Sequence, residues 1–239
     1  MIEEGLRQTL RQRLMEDAPR HGDMIDLLDR GIAEIVKADE TGICMKSTQT
    51  KLFALTTQNE AFAADCLRQF GGEGTLVCHQ LFYAEEAEKL FKAPPFRLEF
   101  LQGVYLGGVA PLPPCEAELR LMDESHLPFM AEHYHAGIEK EYLAERLRNG
   151  HVLGAFVDGR PAGFIGIHDE GAVGMLEIAP EYRRRGIARA LETEIINRQV
   201  RRGLIPYMQI RTDNQASLAL QRLLGVTLAA TPTAWLFGE

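Results

Sequence analysis

One stretch, LEIAPEYRRRGIA at residues 176–188, decides the fold. It begins as an apolar strand, passes through a proline turn and three arginines, and reaches Gly186 just before an amphipathic helix. A strand that enters a helix through a glycine loop leaves backbone N–H groups unpaired at the positive end of the helix dipole. Gly186 and the small Ala188 allow close approach of an anion, and Arg183 to Arg185 add charge-assisted hydrogen bonds. The stretch therefore predicts a pyrophosphate site.

The elements around this loop favour a ligand site over a plain amphipathic helix with a solvated basic start. Strands predicted at 151–157, 162–167 and 172–178 precede the loop. The Asp158-Gly159 turn between the first two is typical of an antiparallel hairpin. After Gly186, apolar residues recur at helical spacing up to Gly203. A strand at 207–211, a helix from Asn214 to Leu224, and strands at 226–230 and 234–237 complete this half.

A Pro-rich segment at residues 110–114 predicts a linker between two domains, 1–112 and 115–239. Both halves alternate strand-like and helix-like patterns, which predicts a mixed α/β (α+β) fold class. The first half has predicted helices at 24–36, from a capping box at 57–60 to the glycines at 71–72, and at 83–91, and strands at 43–46, 51–56, 75–78 and 96–100. The second half starts with a strand at 118–122 and helices at 123–135 and 138–148.

The composition is that of an ordinary globular chain. Of its 239 residues, 46% are hydrophobic and 25% are charged. No apolar run approaches the roughly 20 residues that a membrane span needs, and the charged start is unlike a signal peptide, so we expect a cytoplasmic protein. Four scattered cysteines without a C-x-x-C pair argue against a zinc site. A net charge of -8 disfavours nucleic-acid binding. We therefore expect no metal, no nucleic-acid partner and no membrane partner.

Residues 176–188 resemble the acyl-CoA-binding signature of the GNAT superfamily of N-acyltransferases. Segments 214–217 (Asn-Gln-Ala-Ser) and 223–226 (Leu-Leu-Gly-Val) are similar to its second motif and follow a strand as that motif does. Segment 203–207 and Trp235 look most like the glycine N-acyltransferase-like branch. The resemblance covers about 115–239 and implies a GNAT fold, with a central, mostly antiparallel, splayed sheet flanked by helices. For the first half it implies a smaller, degenerate GNAT-like domain.

The resemblance also implies acetyl-CoA or another acyl-CoA as co-substrate, without a metal. In the family, the strand ending at Ile178 pairs with the pantetheine arm, and one of its N–H groups lies near the thioester carbonyl. The positions carried over as cofactor-binding are Ile178, Ala179, Arg183, Arg184, Arg185, Gly186, Ile187, Ala188, Arg189, Asn214 and Ser217. Asn214 also fits the cap of the following helix, and the two roles are compatible. His133 and Tyr134 lie where relatives build the acceptor pocket.

Acyl transfer to an amine needs a base, because the ammonium must lose a proton before it attacks. The usual carboxylate position of the family falls at Ala172, and its tyrosine acid aligns with Gln221. Three nearby residues are candidates for the base: Glu177, Glu170 and His168. Strict alternation places Glu170 on the face of Ala172 and Glu177 on the opposite face. Each candidate also has a structural interpretation, as a solvated turn carboxylate, a hairpin-end histidine or an outward-facing polar residue.

The sequence thus predicts an N-acyltransferase that moves an acetyl or other short acyl group from acyl-CoA to the amine of a small molecule or amino acid. The alternative is a noncatalytic acyl-CoA-binding or sensing protein, which Ala172 and Gln221 favour. A nucleotide site of another class is disfavoured, because the loop lacks the Gly-Lys-Ser/Thr of a triphosphate site and the glycine triplet of a dinucleotide site. A homodimer is compatible with this prediction.

Overall fold

The computed structural model describes residues 3–134 and 139–238. Its helices are α1 Glu4–Met15, α2 Gly22–Asp29, α3 Glu60–Leu67, α4 Ala84–Glu88, α5 Leu127–His133, α6 Lys140–Arg148, α7 Ile187–Arg201 and α8 Gln215–Leu223. Its strands are β1 Ala33–Asp39, β2 Gly42–Ser47, β3 Leu52–Thr57, β4 Thr75–Cys78, β5 Phe96–Val104, β6 Glu118–Leu121, β7 Val152–Val157, β8 Arg160–Ile167, β9 Val173–Ile178, β10 Tyr207–Arg211, β11 Thr227–Leu228 and β12 Thr233–Phe237. Within the described residues, no helix is both long and apolar enough to cross a membrane.

The mixed α/β character predicted from the sequence is confirmed, and most predicted elements are present. The Asp158-Gly159 turn has positive φ at both residues, 49° and 76°, as a type I′ hairpin turn requires. The helix predicted at 24–36 is wrong over its second half. Gly31, with φ of 68°, follows the end of α2, and the chain then enters β1. The predicted helix limits at His135 and Ile138 lie outside the described residues.

The chain folds into two compact units. The first comprises Met1–Val104, Tyr207–Arg222 and Val226–Glu239, and the second comprises Tyr105–Pro206 and Leu223–Gly225. The C-terminal strands therefore belong to the first unit, although they follow the second along the chain. The division into domains 1–112 and 115–239 stays a prediction.

In the first unit the strand order is β1-β2-β3-β4-β12-β5-β10, and β11 also pairs with β5. The β3–β4 pair is parallel, and the remaining pairs are antiparallel. Helix α3 packs on β3 and α4 packs on β4. Their apolar side chains form one core with Leu55, Phe62 and Leu76.

The second unit contains the antiparallel meander β6-β7-β8-β9. Helix α7 packs on β7, β8 and β9, while α5 and α6 share a core with Val152, Phe156 and Phe164. Phe164 and Ile165 are consecutive in β8 and both fully buried. Because consecutive side chains of a strand point to opposite faces, helices cover both faces of this sheet.

A polar pair lies within the core of the first unit. His79 and Asp23 have exposed fractions of 0% and 1%, and His79 Nε2 lies 2.9 Å from Asp23 Oδ1. The other ring nitrogen, Nδ1, lies 2.9 Å from the Leu55 carbonyl oxygen. A buried polar group is tolerated only when it is hydrogen-bonded, so the imidazole and the carboxylate depend on each other.

We expect His79→Leu to lower the free energy of unfolding by about 3–5 kcal/mol, because it leaves the Asp23 carboxylate buried without its partner. Urea denaturation measures this loss. His126→Leu is the matched control, since His126 Nδ1 lies at the same 2.9 Å from Asp123, whose side chain is 76% exposed. The control should lose far less stability, and equal losses would contradict the prediction.

Candidate functional site

A β-bulge interrupts β9. Val173 and Gly174 pair with Ile167 and Gly166, but the next pair is Glu177 with Phe164, so the two residues 175–176 face Ile165 alone. Met175 has φ of 55°, a left-handed conformation that is uncommon for a residue other than glycine. A bulge reverses the alternation of side chains beyond it. Gly174 and Glu177 therefore share a face, which corrects the expectation from strict alternation that Glu177 points away.

The face that carries Glu177 is the one covered by α5 and α6. Phe164, opposite Glu177, packs against Phe129 at 6.0 Å and against Tyr134 at 6.3 Å between ring centroids. The pKa of Tyr134 is raised to about 12, mainly by burial and to a smaller extent by the charges of Glu177 and Glu170. The pKa of the Tyr134 phenol therefore responds to the charges of both candidate carboxylates. Glu177 and Glu170 thus both lie within electrostatic range of the Tyr134 phenol.

Glu170 lies half-buried in the turn between β8 and β9. Its pKa is raised to about 8, mainly by burial and also by the neighbouring Asp169 carboxylate, while the Arg146 guanidinium opposes the increase. A carboxyl group with such a pKa is a far stronger base, once ionised, than an ordinary surface glutamate. The solvated-carboxylate interpretation therefore does not describe its environment.

His168 begins the same turn and lies in a different setting. Burial lowers its pKa to about 4, with Arg146 adding to that effect and Asp169 opposing it. Its Nδ1 lies 2.8 Å from the Tyr142 hydroxyl of α6. A neutral imidazole so engaged is a weaker base than Glu170, and its contacts are those of a structural residue.

His133 and Tyr134 occupy the last turn of α5. The His133 Nδ1 lies 2.9 Å from the Phe129 carbonyl oxygen, and the two rings are 4.4 Å apart. Tyr134 is the C-cap, and its N–H donates to the Met130 carbonyl. Both side chains are half-buried, and their contact with an acceptor stays a prediction.

The arginine loop follows β9 directly. Arg184 has φ of 66° and Gly186 has φ of 79°, so two left-handed residues stand within three positions of the start of α7. Gly186 is the N-cap and no side chain caps the helix. The first N–H groups of a helix have no intrahelical acceptor, and left-handed turns concentrate such groups into anion-binding concavities. This geometry fits a phosphate group.

The side chains of the loop are exposed and partly anchored. The Arg183 Nε donates to the Ile178 carbonyl at 3.0 Å, which ties the loop to the end of β9. Arg185 donates to Glu116 at 3.0 Å and lies over the Tyr182 ring at 5.3 Å. These contacts hold the loop in place and keep the charges of the guanidinium groups at its surface.

Asn214, Ser217 and Gln221 belong to the first unit. The Asn214 side chain accepts the Ser217 N–H at 3.0 Å, so the predicted cap of α8 is confirmed. Gln221 is buried, with an exposed fraction of 3%. The cofactor contacts of Asn214 and Ser217, and the splay between strands, stay predictions.

Sequence reasoning missed Tyr142 and Arg146, both on α6. The Tyr142 hydroxyl reaches His168 and Asp169, and the Arg146 guanidinium lies 5.3 Å from the Tyr142 ring centroid. Arg146 has an exposed fraction of only 5% and acts on Glu170 and His168 electrostatically. Helical spacing predicted α6, but no local pattern links α6 to a turn more than twenty residues later.

Among the described residues, no group of three or more His, Cys, Asp or Glu side chains could hold a metal ion.

Comparisons with known proteins show which family and which fold the chain resembles. The family model described as "Acetyltransferase (GNAT) family" matches residues 118–226. The N-alpha-acetyltransferase RimI of Mycobacterium tuberculosis is 36% identical over 84 residues, which represent 32% of this chain and 52% of that protein. The chain thus spans about half the length of this curated relative.

Several solved structures match nearly the whole chain, among them the following two. A Drosophila protein has a TM-score of 0.71 at 16% identity, with 98% of this chain and 96% of that chain covered. A GCN5-related N-acetyltransferase-like protein from Streptococcus suis 89/1591 has a TM-score of 0.55 at 17% identity, with 98% and 99% covered. Identities this low show the fold alone, and they show it for both halves. The narrower resemblance to the glycine N-acyltransferase-like branch stays a prediction.

Proposed function

We propose that this protein transfers an acetyl or other short acyl group from acyl-CoA to the amine of a small molecule or amino acid, because residues 118–226 match the model of the GNAT acetyltransferase family. One observation carries the proposal: the second unit joins an anion-binding loop to a strand whose bulge turns Glu177 toward the face of α5 and α6. A binding element and candidate bases thus meet on β9 and its flanking turns.

The loop residues fit the pyrophosphate of acyl-CoA. Gly186 needs its left-handed φ, and a Cβ built there would meet only the Pro114 carbonyl oxygen at 3.6 Å, so the chain is uncrowded around this position at the start of α7. Backbone N–H groups of Ile187, Ala188 and Arg189 begin the helix and point toward its N-terminal end. The guanidinium groups of Arg183, Arg184 and Arg185 add positive charge at the surface.

Acyl-CoA supplies an acyl carbonyl activated as a thioester, and the protein must supply a base for the amine. The amine nitrogen forms a bond to the acyl carbon, the carbon–sulfur bond breaks, and the proton lost by the amine passes to a carboxylate. Glu170 suits this role because burial raises its pKa to about 8, close to the working pH of a base. Glu177, near the same Tyr134, is the second candidate.

A specific departure from the family pattern supports a second candidate function. Ala172 occupies the usual carboxylate position and Gln221 the usual position of the tyrosine acid, and both are buried. A protein without these groups can still bind acyl-CoA and act as a sensor. On the enzyme proposal, either water or another side chain protonates the departing thiolate, or a thiol of low pKa leaves unassisted.

Incubation with acetyl-CoA and an amine library separates the two functions. Release of free thiol with at least one amine supports transfer. Tight acetyl-CoA binding in calorimetry without thiol release for any amine would favour the sensor.

The loop is tested by Gly186→Glu, which we expect to abolish acetyl-CoA binding, because the new carboxylate repels the pyrophosphate. Gly203→Glu is the matched control. Its φ of 77° is nearly that of Gly186, no atom lies within 4 Å of its Cβ position, and it follows the other end of α7. Both variants carry the same charge and similar backbone strain. Equal affinities of the two variants, measured by calorimetry, would refute the loop as the site.

The base is tested by the pH dependence of kcat/KM. A base must be ionised to accept a proton, so the rate should rise with pH through about 8 and then level off, because the pKa of Glu170 is raised to about 8 by burial. Glu170→Gln should remove this limb and lower the plateau by about 100-fold or more. Persistence of the limb in Glu170→Gln would assign it to the acceptor amine and exclude Glu170 as the base.

A further inference from the structure

The Tyr142 hydroxyl connects α6 to the turn that carries Glu170. It lies 2.8 Å from His168 Nδ1 and 3.3 Å from both the backbone nitrogen and the Oδ1 of Asp169. The phenol accepts the Asp169 N–H and donates its proton to the imidazole or the Asp169 carboxylate. One side chain of a helix therefore holds the two residues that immediately precede Glu170.

His168 is fixed from its other side by β9. A Cβ at Gly174 would lie 2.6 Å from His168 Nε2, which means that the imidazole occupies the space left by the absent side chain. The backbone N–H of His168 donates to the Ala172 carbonyl at 2.9 Å, and the backbone N–H of Gly171 donates to the His168 carbonyl at 3.0 Å. The ring is held between Tyr142 and Gly174, and the turn closes around it.

We propose that Tyr142 and His168 are positioning residues, which hold the turn 168–171 so that the Glu170 carboxylate stays half-buried on the face of α5 and α6. This inference rests on the proposed role of Glu170 as the base. The phenol and the imidazole act on the reaction only through the place that they give to this carboxylate.

Several charged and titratable groups face Glu170. Together with burial, they determine how the pKa of Glu170 would change if the turn were released. Asp169 lies beside it in the turn, Arg146 and Tyr142 come from α6, and Tyr134 comes from α5, next to Glu177 of β9. Burial is the main cause of the raised pKa of Glu170, ahead of all these charges. A turn that swings into water loses that contribution, so the pKa should fall toward its ordinary value.

The test uses Tyr142→Phe, which removes only the hydroxyl. NMR of protein labelled with 13C at the glutamate carboxyl carbons follows the Glu170 titration, and Glu170→Gln identifies its signal. We expect the Glu170 midpoint to fall by about one unit or more in Tyr142→Phe. The rising limb of kcat/KM should move to lower pH by the same amount, with a lower plateau, because the carboxylate becomes a weaker base.

Tyr105→Phe is the matched control. It removes a phenol that donates to the Gly108 carbonyl at 2.9 Å, and it should leave both the titration and the rate profile unchanged. Gly174→Ala is an independent variant, because its new methyl group displaces the imidazole while the Tyr142 hydroxyl remains. It should shift the Glu170 titration in the same direction as Tyr142→Phe.

The NMR titration tests the positioning role of Tyr142 and His168 independently of the proposed transfer activity. A midpoint unchanged in both Tyr142→Phe and Gly174→Ala, in proteins that retain cooperative thermal unfolding, would overturn it. A midpoint that falls in both variants supports it, even where acetyl-CoA and the amine library give no thiol release and the proposed transfer activity fails.

Discussion

The left-handed backbone at Met175 is the constraint on which the candidate site depends. A residue other than glycine in this conformation costs about 1 kcal/mol or more, and here the Met175 side chain is buried in the core with α5 and α6. Without the bulge, Glu177 would face away from α5 and α6. With the bulge, β9 carries Glu177 on the face of α5 and α6, and the arginine loop follows directly after the strand.

The pKa values of the groups on the face of α5 and α6 depend on burial more than on charge pairs. Asp169 and Glu177 bring negative charge to this region, Glu170 adds to it only once it is ionised, and the buried Arg146 near the Tyr142 ring opposes it. Burial still dominates, since the pKa of Glu170 stays raised despite that guanidinium. The same environment raises the pKa of Tyr142 and Tyr134, so both phenols remain protonated donors near neutral pH.

Local chemistry explains what could be predicted from the sequence. The Asp158-Gly159 turn and the Asn214 cap each depend on a few adjacent residues, and both are present. The helix at 24–36 was overextended because Ile32 continues the helical spacing past Gly31, whose positive φ marks the end of α2. The bulge carried no signal, because methionine has no preference for positive φ. The contacts of Tyr142 depend on tertiary packing, so no local sequence pattern predicts them.

The absence of a carboxylate at Ala172 and the hydrogen-bonded turn before Glu170 have a common physical explanation. A carboxylate within a strand is positioned by the sheet, but Ala172 offers none. A carboxylate in a turn has more freedom, and ordering it costs conformational entropy that neighbouring contacts must offset. The hydrogen bonds from Tyr142 and the fit of His168 against Gly174 supply such contacts at the residues before Glu170. A carboxylate in a turn can therefore serve as the proposed base only where a second element holds that turn, and the Tyr142 hydroxyl of α6 makes such contacts here.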